Sequence, residues 1–260
     1  MYPVLIQFKN FRLDSYGVIW LIALCISINW SISRLKIYGL DEDKSRNVMF
    51  WSFIFTLIGA RVPEYIYHYK FYVSNPSEIF NLTRGDLHEV GAVSGALISA
   101  LIFCLIRKVN FYKLCEVACI PAFFSIAVGR WGCFLNGCCV GLQTASNFGV
   151  HFPRDAINFF RHPVQIYYSI FAFGCVIILK FIEKFLNPAR KFSIIAPIAL
   201  ILYSVMRFSL AQFREYFDIE LLIKYNMSYK LFFWIMIAGI IWLLYSLVMN
   251  VRGRKSKKNS

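Results

Sequence analysis

Three arginines stand where an apolar chain should carry no charge. Arg61 closes one apolar stretch, Arg207 lies within the run 193–213, and Arg130 follows the run 120–128. Arg130 opens the segment Arg130-Trp131-Gly132-Cys133-Phe134-Leu135-Asn136-Gly137-Cys138-Cys139-Val140-Gly141, in which the apolar helix is expected to break. An arginine at the centre of a membrane span costs about 2.5–3.5 kcal/mol on the insertion scale. Arg207 is about six residues, or roughly 9 Å, from the outer end of its run. Its long side chain could simply snorkel to the interface. Three guanidiniums converging from different spans would do something else. The planar fork binds phosphate oxygens bidentately and stays charged. Glycerophosphate head groups are the abundant anions at that depth, so the expected ligand is a phospholipid.

Other residues offer acid–base or sulfur chemistry. His88 and Glu89 precede an apolar stretch, and histidine is the side chain that exchanges protons near neutral pH. His162, beside Pro163, is expected to serve as a structural hydrogen-bonding residue. Of the 8 cysteines, Cys25, Cys104, Cys115, Cys119 and Cys175 lie within apolar runs, where Cys acts as a small hydrophobe. Cys133, Cys138 and Cys139 are crowded into one segment. A disulfide, a metal site or small packing groups at a tight break are all open. The spacing is not a common zinc pattern, so packing is preferred and no metal or cofactor is expected.

The elements that must position these groups are membrane spans. The 260 residues are 58% hydrophobic with 26 Phe and 15 Tyr, and the mean hydropathy is +0.57. That is too apolar for a soluble domain and suits interfacial aromatics. The net charge of +14 does not imply nucleic acid, because its only dense cluster is the tail at 251–260. Seven helices are expected at 17–34, 48–68, 90–106, 112–129, 164–182, 194–213 and 231–250. The short connections 34–46, 107–113 and 180–191, with the tail, hold more than half of the 28 basic residues. By the positive-inside rule they are cytoplasmic, which places the N-terminus outside. Arg61, Arg130, Arg207 and Arg214 then all fall toward the outer face. No cleavable signal peptide is expected. The fold class is therefore an all-α, polytopic integral membrane protein. It forms a single transmembrane domain over 1–260, and burial requires no partner, so a monomer suffices.

The sequence resembles the prolipoprotein diacylglyceryl transferase family, in order along nearly its whole length. The segment from Phe8 to Trp20, which contains Tyr16, is similar to the family's entry into its first span. Gly59-Ala60-Arg61 resembles a Gly-Gly-Arg at the end of span two, and Gly91-Ala92-Val93-Ser94-Gly95 a Gly-Gly-x-x-Gly helix start. Gly129, Arg130, Phe134, Asn136 and Gly141 match the signature Gly-Arg-x-x-Asn-Phe-x-Asn-x-Glu-x-x-Gly. Arg161-His162-Pro163-Val164-Gln165-Ile166-Tyr167 is similar to Arg-His-Pro-Ser-Gln-Leu-Tyr. Tyr203, Arg207, Phe208 and Arg214 match a further motif. The departures fall on acid–base positions. Val90 stands for the family's histidine, Cys133 and Cys138 for an asparagine and a glutamate of the signature, and Ala211 for a second glutamate.

The resemblance implies transfer of a diacylglyceryl group from phosphatidylglycerol to the thiol of a prolipoprotein's lipobox cysteine in a bacterial inner membrane. Glycerol phosphate leaves and a thioether forms. The nucleophile belongs to the substrate, so the enzyme must hold the phosphate and help a thiol lose its proton. The resemblance assigns the phosphate to Arg130 and Arg207, with Arg61 and Arg214 as second members. Asn136, Gln165 and Tyr167 would orient glycerol oxygens, and the matching Tyr16, Gly141 and Tyr203 join them as substrate-binding positions. His88 is the expected base and Glu89 its rival. A related transferase with another acceptor, or a non-catalytic phospholipid-binding protein, would fit the same arginines.

Overall fold

The computed structural model describes residues 4–8, 11–77, 88–153, 160–186, 193–215 and 219–256. The chain opens on the strands β1 (Val4–Phe8) and β2 (Phe11–Asp14), an antiparallel hairpin. Helices follow as α1 (Ser15–Leu35), α2 (Glu42–Tyr67), the short α3 (Tyr69–Ser74), α4 (Glu89–Arg107) and α5 (Phe111–Asn136). A second small hairpin, β3 (Val150–His151) with β4 (Phe160–Arg161), precedes α6 (Val164–Phe185), α7 (Ile195–Ala211) and α8 (Ile219–Ser256).

Each stretch expected to span is helical to within two residues. Among the described residues, Ser15–Leu35, Phe111–Asn136, Val164–Phe185 and Tyr229–Arg252 are long and apolar enough to cross a membrane, and Gly91–Arg107 and Ile195–Ala211 are shorter apolar helices. Large apolar side chains such as Leu21, Leu105, Ile177 and Phe181 are exposed, as lipid-facing residues would be. The protein is a multi-pass helical membrane protein. Two differences from expectation stand out. The outer connection 214–230 is largely absorbed into the 38-residue α8. The break expected at Arg130 is not there, because α5 runs on to Asn136. Gly129 and Gly132 are contact points rather than breakers. A Cβ on Gly129 would come within 2.6 Å of the Trp20 ring, and one on Gly132 within 3.2 Å of the Tyr16 carbonyl. Small residues let the backbones of α1 and α5 approach.

The chain forms two compact units, Gly39–Leu114 and Met1–Tyr38 with Cys115–Ser260. In the first, Asp41 caps α2 by accepting a bond from the Lys44 amide at 2.9 Å. Its helices α2 and α4 meet at glycines: a Cβ on Gly95 would strike the Phe55 carbonyl, and one on Gly91 the Gly59 carbonyl. Pro63 supplies no amide proton for the Gly59 carbonyl, which explains why that oxygen is free to face α4.

The second unit is tied at one end by Arg34, which is 1% exposed although the sequence places it in a basic cytoplasmic connection. Pro121 within α5 leaves the Val117 carbonyl without its helical donor, and Arg34 Nε donates to it at 2.9 Å. Arg34 also donates to the Glu116 carbonyl at 2.8 Å and to Glu183 at 2.9 Å, and Tyr38 donates to Glu183 at 2.9 Å. The Glu116 carboxylate accepts from Ser193 Oγ at 2.7 Å and from the Ala196 amide at 2.8 Å, so it caps the start of α7. One network thus joins α1, α5, α6 and α7, and the apolar core of Ile120, Phe123, Ala127, Tyr168, Ala172 and Met206 lies among the last three.

Removing one partner of a buried pair strands the other's charge. Glu183→Ala should lower stability by about 3–5 kcal/mol in detergent denaturation. The double variant Glu183→Ala/Arg34→Met should regain most of that loss. Equal loss in both would place the stabilising effect elsewhere.

Candidate functional site

Arg130 on α5 and Arg207 on α7 meet at one side chain of α6. The Arg130 Cζ lies 4.5 Å from the centroid of the Tyr168 ring, and the Arg207 Cζ lies 5.5 Å from the same centroid. Tyr168 is only 2% exposed, so the ring is a fixed platform. Arg207 also lies 4.7 Å from the Phe232 ring of α8, which packs edge-on against Tyr203. Tyr203 is one helical turn before Arg207. An aromatic ring attracts a cation by its quadrupole, and that attraction strengthens away from water.

The loop after α5 is stitched beside this pair. Gly137 and Cys139 both have positive φ, 69° and 60°, and they turn the chain back on the helix end. Gly141 is then clasped between two other segments. Its amide donates to the His162 carbonyl at 3.1 Å, and the next amide, of Leu142, donates to the Phe213 carbonyl at 2.8 Å. A Cβ at Gly141 would strike the His162 carbonyl, 2.5 Å away, and the Phe213 carbonyl, so only glycine fits. Arg161, 3% exposed, donates to the Gly141 carbonyl and forms an ion pair with Glu215. Three separate motifs of the sequence become one backbone junction.

Gln165 donates from Nε2 to the Cys138 carbonyl at 2.6 Å. The residue is 1% exposed, and its Oε1 is buried without a hydrogen-bonding partner, an acceptor available to a ligand hydroxyl. Asn136 donates to the Cys138 sulfur. Arg214 approaches Cys139 Sγ at 3.7 Å. Tyr16 lies within electrostatic range of Arg130 and of the three cysteines. Hydrogen bonds from the Cys133 and Cys138 thiols, then the charges of Arg214 and Arg130, pull the Cys139 thiol well below its ordinary range against the effect of burial. Tyr167 instead directs its hydroxyl to His162 Nδ1 at 3.2 Å, and both rings pack on Phe213.

Arg61 and His88 belong to the other unit. Arg61 is buried on α2, 6% exposed. His88 begins α4, with its amide on the Ala60 carbonyl at 2.8 Å and Nε2 3.1 Å from Glu64. Glu64, itself buried, has His68 on its other oxygen at 3.8 Å. The sequence did not single out this carboxylate. Its spacing, three residues after Arg61 and four before His68, was the available sign. The side chain of Glu89 lies outside the described residues.

These positions match a known pattern. The family described as prolipoprotein diacylglyceryl transferase matches residues 3–245. The chain belongs to that family. It is similar to the phosphatidylglycerol–prolipoprotein diacylglyceryl transferase of Clostridium novyi, 30% identical over 256 residues, covering 96% of this chain and 98% of the relative. The transferase of the same name from Listeria innocua is 30% identical over 190 residues, covering 70% and 69%. That of Staphylococcus haemolyticus is 30% identical over 201 residues, covering 74% and 70%.

Tyr168 is not among the positions that the sequence singled out in this member of the transferase family. Tyr168→Leu should weaken binding of phosphatidylglycerol, measured against phosphatidylcholine by native mass spectrometry, about tenfold. Tyr168→Phe should stay within about twofold, because the ring and its quadrupole remain. Equal damage in both would shift the role to the hydroxyl.

Proposed function

We propose that this protein transfers the diacylglyceryl group of phosphatidylglycerol to the thiol of a lipobox cysteine in a prolipoprotein, with release of glycerol phosphate, as an early step of lipoprotein maturation. The observation that carries this is the meeting of Arg130 and Arg207 on Tyr168. Two guanidiniums held in a low-dielectric site are suited to a phosphodiester in the ground state. They suit the leaving phosphomonoester better, because its charge is greater. Arg130 and Arg207 grip the phosphate, and Arg61 and Arg214 are further positive groups for the lipid or peptide.

Gln165 Oε1 accepts from a glycerol hydroxyl, with Asn136, Tyr16 and Tyr203 lining the head-group site. Gly141 shapes the loop, and Tyr167 acts through His162. His88, oriented by Glu64, receives the acceptor's proton. The protein works as a monomer, one transmembrane domain of seven spans in the bacterial cytoplasmic membrane, with the N-terminus outside and the basic tail inside. The substitutions Val90, Cys138 and Ala211 support a second reading, a related phospholipid-dependent transferase with a different acceptor.

Complementation of a strain lacking its own transferase, with mass spectrometry of a model lipoprotein, separates the two. The thioether-linked diacylglyceryl mass should appear on the lipobox cysteine. Arg130→Ala and Arg207→Ala should each cut turnover by about 10²–10³-fold. An unmodified cysteine at normal protein levels would sink the lipoprotein assignment, and wild-type turnover in both variants would sink the phosphate role. His88→Ala at the wild-type rate would remove His88 as base.

A further inference from the structure

The cysteine cluster is the feature that the proposed chemistry leaves unused. The sulfurs of Cys133, Cys138 and Cys139 all lie within 4.8 Å of one another. A tetrahedral or trigonal ion with metal–sulfur bonds of about 2.3 Å would set them roughly 3.8–4.0 Å apart. Little more than side-chain rotation separates the two arrangements. The sequence argues against a metal because neighbouring cysteines chelate poorly, and the backbone answers that objection. Cys139 holds φ at 60°, uncommon for a residue with a side chain, and the Cys138 amide bonds the Cys133 carbonyl at 3.1 Å. That turn brings both neighbouring sulfurs to the one on α5. A disulfide would use only two of the three.

The surroundings support such a site. Gln165 and Asn136 fix Cys138, and Arg214 stands 3.7 Å from Cys139 Sγ. Three thiolates around a divalent cation leave a net charge of about −1, which Arg214 balances. Soft sulfur ligands select thiophilic ions. Four protein ligands make a closed structural site, whereas three leave one position open.

We propose that Cys133, Cys138 and Cys139 bind a thiophilic divalent cation of the zinc type, whose open position takes the thiol of the acceptor cysteine. This rests on the transferase function proposed above. A thiol that coordinates such an ion loses its proton outright, through water to the base proposed above, and keeps a nucleophilic sulfur. The sulfur then forms a bond to the glyceryl carbon. The bond from that carbon to the phosphate oxygen breaks, and its electron pair leaves with glycerol phosphate. No oxidant or reductant is needed. The site also accounts for the pattern of departures: Cys133 and Cys138 appear in the chain in which Val90 and Ala211 replace family acid–base residues.

The test uses the intact protein in detergent. After incubation with Zn²⁺ and desalting it should retain about one Zn²⁺ per chain by elemental mass spectrometry, and each single Cys→Ser variant should lose most of it. Co²⁺ in place of Zn²⁺ should give a thiolate-to-cobalt charge-transfer band in the wild type. A lipobox peptide with its cysteine should change that band, and the same peptide with serine should not. No retained metal, a disulfide on Cys133 by intact mass, or a cobalt spectrum indifferent to the cysteine peptide would each overturn the proposal. Full-rate thioether formation after chelation would overturn the site's role while leaving the transferase intact. A cobalt response to the peptide without thioether formation in phosphatidylglycerol vesicles would support the site and sink the transferase.

Discussion

Two guanidinium groups are held against one buried tyrosine ring, and the surrounding helices must keep them there. Their Cζ atoms can be no more than about 10 Å apart, given their distances to the ring. At an effective dielectric constant near 20 they repel by about 2 kcal/mol or more. Contacts of each cation with an aromatic face return roughly 0.5–2 kcal/mol. An anion between them would be attracted by both. Two guanidiniums brought this close suit an anion, and under the proposed function that anion is the phosphate, whose charge grows as it leaves.

Such a pair needs a stiff frame. At one end of the same unit, Arg34 binds the carbonyl that Pro121 leaves open and pairs with Glu183, while Glu116 caps α7. This network fixes α5, α6 and α7, the three helices that carry Arg130, Tyr168 and Arg207. Near Arg130, the Gly141 junction fixes the loop after α5 against the start of α6 and the end of α7. The helices that carry the arginines are thus held by two sets of hydrogen bonds.

Much of this was legible in the sequence, for definite reasons. A charge in an apolar run is costly, which is why Arg130 and Arg207 were visible. Hydrophobic length gave the helices to within two residues at most boundaries. Tyr168 was not visible, because an aromatic at helical spacing looks like any core residue. The contact role of Gly129 and Gly132 is not legible, since glycine has the same low helix propensity whether it breaks a helix or lets a neighbouring one approach. The burial of Arg34 was not visible, because its partners Glu183 and Val117 are distant in the chain. The meeting of the three cysteines depends on positive φ at Gly137 and Cys139, and no pattern of residue types predicts that for a cysteine.

The central claim is that this site turns phosphatidylglycerol and a thiol into glycerol phosphate and a thioether. Purified protein in phosphatidylglycerol vesicles, supplied with a lipobox peptide, tests it directly. Phosphorus NMR would follow the head group while mass spectrometry follows the peptide. The account predicts that glycerol phosphate and the diacylglyceryl peptide appear in equal amounts and that neither forms when the peptide cysteine is serine. Folded protein that binds the lipid but releases no glycerol phosphate would contradict it.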